Sequence, residues 1–222
     1  MKSTRNFNRR GFTLIEIVIA VAIVAIFAAA MSPMVFRHLG DAKISKAQNE
    51  TEVIATAVLS YYKDVGKWPI TNADGPSGNA VDRVLSSTNV ALGAGPDAAG
   101  GAANWGTYGT TKPLGDYLYF NNADNNSSVT GVDQNESGGD WPTSGKGAWR
   151  GPYVESYSFD DPWGNAYIVN SQYFQGAYSG TVRHKIFALS AGPNGLWETG
   201  FEDATSEEIQ GDDVGTVISI TN

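Results

Sequence analysis

Between Phe12 and Met31 a single charged residue, Glu16, interrupts an otherwise uncharged and largely apolar stretch, and Ile17 to Ala30 contains only Ala, Val, Ile and Phe. Twenty such residues make a helix of roughly 30 Å, the thickness of a bilayer core. No polar face breaks the run, which argues against a buried helix of a soluble domain. The basic residues Lys2, Arg5, Arg9 and Arg10 just upstream put the N-terminal end on the cytoplasmic side, with the rest of the chain beyond the membrane. Pro33 lacks the amide that would bond the carbonyl of Ala29, so a kink or a short melted stretch is predicted there. Past it, Ile54, Ala57, Val58, Tyr61 and Val65 recur at helical spacing, with Lys46, Glu50, Glu52 and Lys63 on other faces. Residues 33–66 therefore read as an amphipathic continuation, ended by Gly66, Lys67, Trp68 and Pro69. The whole helix would run about 55 residues, or ~80 Å.

The remaining chain changes character twice. Residues 67–148 are rich in Gly, Asn, Ser, Asp and Ala, and read as a loop-rich insertion whose apolar islands, Val81 to Leu85 and Tyr117 to Phe120, supply a short helix and a strand. Trp105, Tyr108, Trp141 and Trp149 argue that it is ordered, because disordered chains rarely carry such large apolar groups. In residues 149–222, the runs Ala166 to Asn170, Arg183 to Leu189 and Val214 to Ile220 read as strands bounded by turn residues. Period-two alternation is clearest around Val182, His184, Ile186 and Ala188. The predicted architecture is α+β: a long N-terminal helix, half membrane and half amphipathic, packed on a small antiparallel β-sheet head with a large insertion.

Charge and cysteine usage narrow the function. From Lys67 onward there are 18 acidic residues against 7 basic ones, a surface that repels nucleic-acid phosphates. Cysteine is absent, which removes disulfides, thiolate metal sites and cysteine nucleophiles together. Packing or an oxygen-ligated metal must stiffen the head. His38 and His184 lie far apart along the chain and Asp160-Asp161 is an isolated acidic pair, so neither supports a zinc site, a triad or a hydrolase. No P-loop and no dinucleotide fingerprint is present.

The order of residues at the N-terminus carries the strongest signal. Arg9-Arg10-Gly11-Phe12-Thr13-Leu14-Ile15-Glu16 puts the basic pair, a small residue and a carboxylate ahead of the apolar run. A secretory signal peptide is cut after its apolar region, which is then lost. This motif resembles the processing site of type IV prepilins and type II secretion pseudopilins, in which the cut falls after the residue matching Gly11 and the new terminus, Phe12, is methylated. Removing residues 1–11 takes away four bases and no acid, moving the formal charge from −8 to about −12. Glu16 is costly in lipid and reads as functional. The resemblance implies that it pairs with the amino terminus of a neighbouring subunit, setting the register of residues 12–32 as they assemble.

Two further stretches carry the resemblance. Trp149-Arg150-Gly151-Pro152-Tyr153 and Asp161-Pro162-Trp163-Gly164-Asn165-Ala166-Tyr167 look like the head of the major pseudopilin, and read as structural turns. Ser190-Ala191-Gly192-Pro193-Asn194-Gly195, followed by Gly211-Asp212-Asp213-Val214, is similar to that family's calcium loop. The resemblance implies a structural Ca²⁺ held by Ala191 through its carbonyl and by Asn194, Asp212 and Asp213, with Asn194 standing where the family has an aspartate. Oxygen-only ligands suit that ion. The loop is also enlarged with Trp197, Glu198, Glu202, Asp203, Glu207 and Glu208.

Taken whole, the resemblance implies a structural subunit and not an enzyme. Its leader is removed by prepilin peptidase, and it rests in the lipid of the bacterial inner membrane as a single-pass protein with a periplasmic head. It then polymerises with itself on an assembly platform driven by a separate ATPase, alongside minor pseudopilins, into a pseudopilus serving type II secretion. The alternatives are a surface pilus subunit, extracellular once assembled, and a minor tip subunit whose exposed tryptophans, such as Trp105 or Trp141, bind sugars or secreted proteins.

Overall fold

The computed structural model describes residues 11–70, 84–88, 105, 112–122, 141–174, 184–201 and 208–220. The leader bases, Val81, Tyr108, Val182 and the loop acids Glu202, Asp203 and Glu207 lie outside these. The chain forms two compact units, one up to Ala42 and one from Lys43 onward.

Helix α1 spans Leu14–Val65, 52 residues, close to the predicted extent. In the first unit its side chains are exposed at every position from Leu14 to Ala42, and it is long and apolar enough to cross a membrane. The predicted melting at Pro33 does not occur, because α1 runs through that residue unbroken. Just before the proline, the Ser32 hydroxyl donates to the carbonyl of Ala28 at 2.8 Å, a back-bond of the kind that often bends a helix.

Within the second unit α1 buries Ala47, Thr51, Ile54, Val58, Tyr61 and Val65, positions that alternate by four and three residues and so form one stripe. Gly66 then adopts φ +77°, a left-handed conformation that stops the helix at little cost for a residue without Cβ. The sheet comprises β1 (Leu85–Ser86), β2 (Lys112–Pro113), β3 (Ile168–Val169), β4 (Lys185–Ser190) and β5 (Val214–Ile220), in the order β2-β1-β3-β4-β5. The pairings β1–β3, β3–β4 and β4–β5 are antiparallel, and β2 adds a short parallel edge that no pattern in the sequence marks. Of the two apolar islands in the insertion, the first provides β1, while the second closes the short helix α2 (Leu114–Leu118).

The alternation read into β4 is not the burial it shows. Every residue from Ile186 to Ser190 is buried, because a strand between β3 and β5 with both faces covered has no solvent side to alternate with. The core gathers Ile54, Val58 and Tyr61 of α1 with Leu118, Ile168, Phe174 and Leu189. Trp68 is stacked between Tyr62 and Phe174, at ring-centroid distances of 4.0 and 4.4 Å, and closes the helix end over this core.

Both family-like turns act as anchors. The Tyr153 amide donates to the carbonyl of Leu118 and its hydroxyl to Asp64 of α1, while Trp149 Nε1 donates to the Tyr117 carbonyl. Asp161 is buried with its carboxylate full: Oδ1 accepts the amides of Trp163 (2.9 Å) and Asn165 (2.8 Å), and Oδ2 accepts the Ser190 hydroxyl (2.6 Å). One side chain thereby ties the Asp161–Asn165 turn to the end of β4. Asp161→Ala orphans three donors, each worth about 1–3 kcal/mol where buried, so we expect a loss of about 3 kcal/mol in urea unfolding. A loss below about 1 kcal/mol would show that the turn holds without its carboxylate.

Candidate functional site

At the start of α1, Thr13 and Glu16 form a reciprocal cap. The Thr13 amide (2.8 Å) and hydroxyl (2.7 Å) both donate to Glu16 Oε2, and the Glu16 amide donates back to Thr13 Oγ1 at 3.3 Å. The spacing Thr-x-x-Glu is the capping-box pattern, a signal legible in the sequence itself. Glu16 also lies in the first turn, where the helix dipole favours a negative charge. Its carboxylate is thus satisfied within its own chain, although Phe12, Thr13 and Glu16 are all exposed.

The second arrangement lies between β4 and β5, where two loops meet. Gly192 (φ +62°) and Gly195 (φ +69°) fold the first loop back on itself, with the Gly195 amide reaching the Gly192 carbonyl at 3.3 Å. Gly192 has to be glycine for a second reason: a Cβ there would collide with the backbone carbonyl of Asp212. The second loop turns at Gly211 (φ +63°) and presents Asp212 and Asp213. Ala191 lies buried where β4 ends. Asn194 is exposed; its amide donates to Asp212 Oδ2 at 3.0 Å, and its own Oδ1 is taken by the Leu196 amide at 2.6 Å.

Glu198 completes the cluster. Its Oε2 accepts the Asp212 amide at 2.7 Å, and one carboxylate oxygen from each of Glu198, Asp212 and Asp213 lies within 4.8 Å of the others. Asp213 Oδ2 accepts the amides of Glu198 (3.1 Å) and Thr199 (2.7 Å). Oδ1 of Asp212 and Oδ1 of Asp213 are buried without a hydrogen-bond partner among the described residues. Three carboxylates this close, two with orphaned oxygens, repel one another unless protons or a cation intervene. Burial pushes the Asp213 carboxyl above its ordinary value, and burial followed by the neighbouring Glu198 does the same for Asp212. Glu198 shifts the other way, held ionised chiefly by the Asp212 amide.

Thr199 links the cluster to the insertion. Its amide bonds Asp213 while its carbonyl accepts Trp105 Nε1 at 2.8 Å, and Trp105 packs against Trp197 and Phe201. Trp105 is fully buried, and Trp141 is half-buried with its Nε1 bonded to the Tyr61 hydroxyl. Neither tryptophan is the exposed binding platform that the tip-subunit alternative requires, because each ring packs against the core of the head. His184 is likewise structural, stacked on Tyr173 at 4.0 Å.

These features have the layout of a pilin-like subunit: a helix long and apolar enough to cross a membrane, and a small α+β head. Residues 6–32 match the prokaryotic N-terminal methylation motif. The chain is homologous to type IV pilins and to a type II secretion pseudopilin. It is 42% identical over 67 residues to a type IV major pilin protein of Neisseria gonorrhoeae, covering 30% of this chain and 41% of the relative. A fimbrial protein of Neisseria meningitidis is 36% identical over 77 residues, covering 35% of this chain and 45% of the relative. The type II secretion system core protein G of Pseudomonas aeruginosa is 38% identical over 64 residues, covering 29% and 45%. The chain thus spans less than half the length of these curated relatives. No solved structure gives a significant match.

The carboxylate cluster sets a pH dependence. Asp212 and Asp213 have raised values when folded, so the stability they contribute is present below their ordinary value of 3.8 and is lost as pH rises through the raised values. Glu198 opposes this only as pH falls below its ordinary 4.5. In EDTA the melting temperature should therefore fall as pH rises from about 4 toward 7, and Asp213→Asn should flatten the profile. A wild-type profile that rises over that window would refute the repulsion.

Proposed function

We propose that this chain is a structural subunit of a pseudopilus that polymerises from the bacterial inner membrane to drive type II secretion, and that it is not an enzyme. The observation that carries the reading is Glu16: a lone carboxylate at the head of an apolar helix, four residues after a Phe that follows Gly11 in a methylation motif. Prepilin peptidase removes the leader after Gly11 and methylates the Phe12 amine. The subunit then waits in lipid with its head in the periplasm, and an assembly platform with its ATPase and minor pseudopilins moves it into the fibre. There Glu16 exchanges the Thr13 cap for the amino terminus of a neighbour, because a charge pair inside a packed helix bundle satisfies both groups and fixes register.

The relatives are named as a major pilin, a fimbrial protein and a secretion-system core protein, which supports the non-enzymatic reading. The pseudopilus is favoured over a surface pilus by the C-terminal loops: they contain no cysteine to close them with a disulfide, and they gather carboxylates instead. The pilus reading keeps one supporting observation, the 42% identity to a gonococcal pilin beside 38% for the secretion protein. Glu16→Val should leave membrane insertion intact and abolish fibres and cross-linking ladders, while mass spectrometry of the same wild-type membranes finds methylated Phe12 as the terminus. Normal fibre yield from Glu16→Val, or an intact leader on assembled subunits, would sink the assignment.

A structural Ca²⁺ in the carboxylate cluster belongs to the same reading. The residues present fit it: two buried carboxylate oxygens lack partners, every available ligand is oxygen, and Gly192 and Gly211 let the two loops approach. Asp212 and Asp213 would hold the ion, with Ala191 and Asn194 beside them, and its charge would cancel the repulsion and join β4 to β5. Binding to the folded state alone stabilises by RT ln(1 + [L]/Kd), about 2.7 kcal/mol at a hundredfold excess. The protein should melt higher in millimolar Ca²⁺ than in EDTA, and Asp212→Ala with Asp213→Ala should erase the difference. Identical melting of the unmutated protein in both conditions refutes the ion.

A further inference from the structure

We infer that Glu198, and not Asn194, supplies the third side-chain ligand of the cation site, with Asn194 serving as its hydrogen-bonded support. The inference rests on the calcium reading above and concerns which residues of this chain make the site.

Four observations converge. The first is availability. The side-chain oxygen of Asn194 is committed to the Leu196 amide at 2.6 Å, which leaves its NH₂ group for other partners. An amide nitrogen cannot ligate a cation but can donate to a carboxylate, and the Asn194 side chain is among the groups that hold the Glu198 carboxyl below its ordinary value. Asn194 therefore offers an ion only a neutral oxygen already engaged by the Leu196 amide, a weaker ligand than the Glu198 carboxylate.

The second is proximity. Glu198 joins Asp212 and Asp213 in the set whose carboxylate oxygens lie within 4.8 Å of one another. The third is accommodation, since the Glu198 carboxylate lies directly against Gly211. A Cβ at that position would overlap Oε2 and Cδ of Glu198, so the loop turns on a residue whose missing side chain leaves room for this carboxylate. The fourth is the open valence of the two aspartates. Asp213 is only 9% exposed, and its Oδ1 has no hydrogen-bond partner among the described residues; Oδ1 of Asp212 likewise has none. Both already take backbone amides on Oδ2, so the remaining oxygens are the ones left for an ion.

The chemistry follows from charge count. Two aspartates and a neutral amide would offer a divalent ion two negative charges, whereas Glu198 with Asp212 and Asp213 offers three. Hard-cation affinity in oxygen sites is tuned by ligand charge and by the rigidity of the loop. Here rigidity comes from backbone amides that fix all three carboxylates: the Asp212 amide on Glu198, the Asn194 amide on Asp212, and the Glu198 and Thr199 amides on Asp213. Each loop thereby holds the ligands of the other, and no single loop builds the site.

The test is calorimetric titration of Ca²⁺ into the full chain in detergent micelles. Wild type should bind one Ca²⁺, Glu198→Gln should weaken it by roughly tenfold or more, and Asn194→Ala should weaken it by only a few-fold. Glu198→Asp, which keeps the charge one methylene further back, should fall between wild type and Glu198→Gln, and it keeps the inference open to refutation if the glutamine variant unfolds. Circular dichroism in EDTA establishes that each variant is folded. Wild-type affinity in folded Glu198→Gln, with binding lost in Asp213→Asn, would overturn the role of Glu198 and leave the calcium reading standing. A loss in Asn194→Ala as large as in Glu198→Gln would also overturn it. No binding by the wild type removes the ion itself, and the inference with it.

Discussion

The head is organised by one constraint: the second half of α1 carries an apolar stripe that water must not reach. Ala47, Thr51, Ile54, Val58, Tyr61 and Val65 fall along a single face, and their burial requires a sheet and loops to cover them. The strands are too short to do this alone. β1 and β3 hold only two residues each, so much of the cover comes from aromatic side chains of the irregular segments and the short helix, including Trp68, Tyr117, Tyr153 and Phe174. Large rings suit such a role because each removes a large apolar area from water while fixing few backbone residues.

Irregular backbone has to satisfy its amides and carbonyls without a ladder, and side chains take over that task. Asp161 gathers two amides of its own turn and the hydroxyl at the end of β4. Asn170 has a similar role at the end of β3, accepting the Phe187 amide and donating to the Lys185 carbonyl. Asn121 clamps the backbone of Trp141 at both its amide and its carbonyl. The Tyr61 hydroxyl, buried in α1, is pushed to a high pKa by desolvation and serves as acceptor for Trp141 Nε1. These bonds are the reason a head with little regular structure has a defined core.

Carboxylates do two different jobs in the molecule, and environment separates them. Glu16 stands at a helix N-terminus, where the cap and the helix dipole satisfy a negative charge from within the same turn. Asp212 and Asp213 are held by amides on one oxygen and left open on the other, in a place where burial raises the cost of ionisation. The first arrangement satisfies its charge within a single turn of one chain. The second leaves two buried carboxylate oxygens without partners among the described residues, and Thr199 connects it to the Trp105 anchor of the insertion.

What the amino-acid sequence determined was whatever depends on near neighbours. The apolar run, the stripe in α1, its stop at Gly66, the strand at Val214–Ile220 and the processing motif are all written in consecutive or helically spaced residues, and each is where the pattern put it. The Thr13–Glu16 cap is local too and can be read from its spacing. Tertiary structure alone decided burial and convergence. Trp105 and Trp141 look exposed in a polar insertion yet are held by groups 94 and 80 residues away. β4 loses its alternation because both of its faces are buried. Glu198 is one acid among many in its loop until the chain returns through Gly211, the residue whose missing side chain makes room for its carboxylate. Periodicity reports the face a residue occupies on its own element; only the path of the rest of the chain settles what that face will meet.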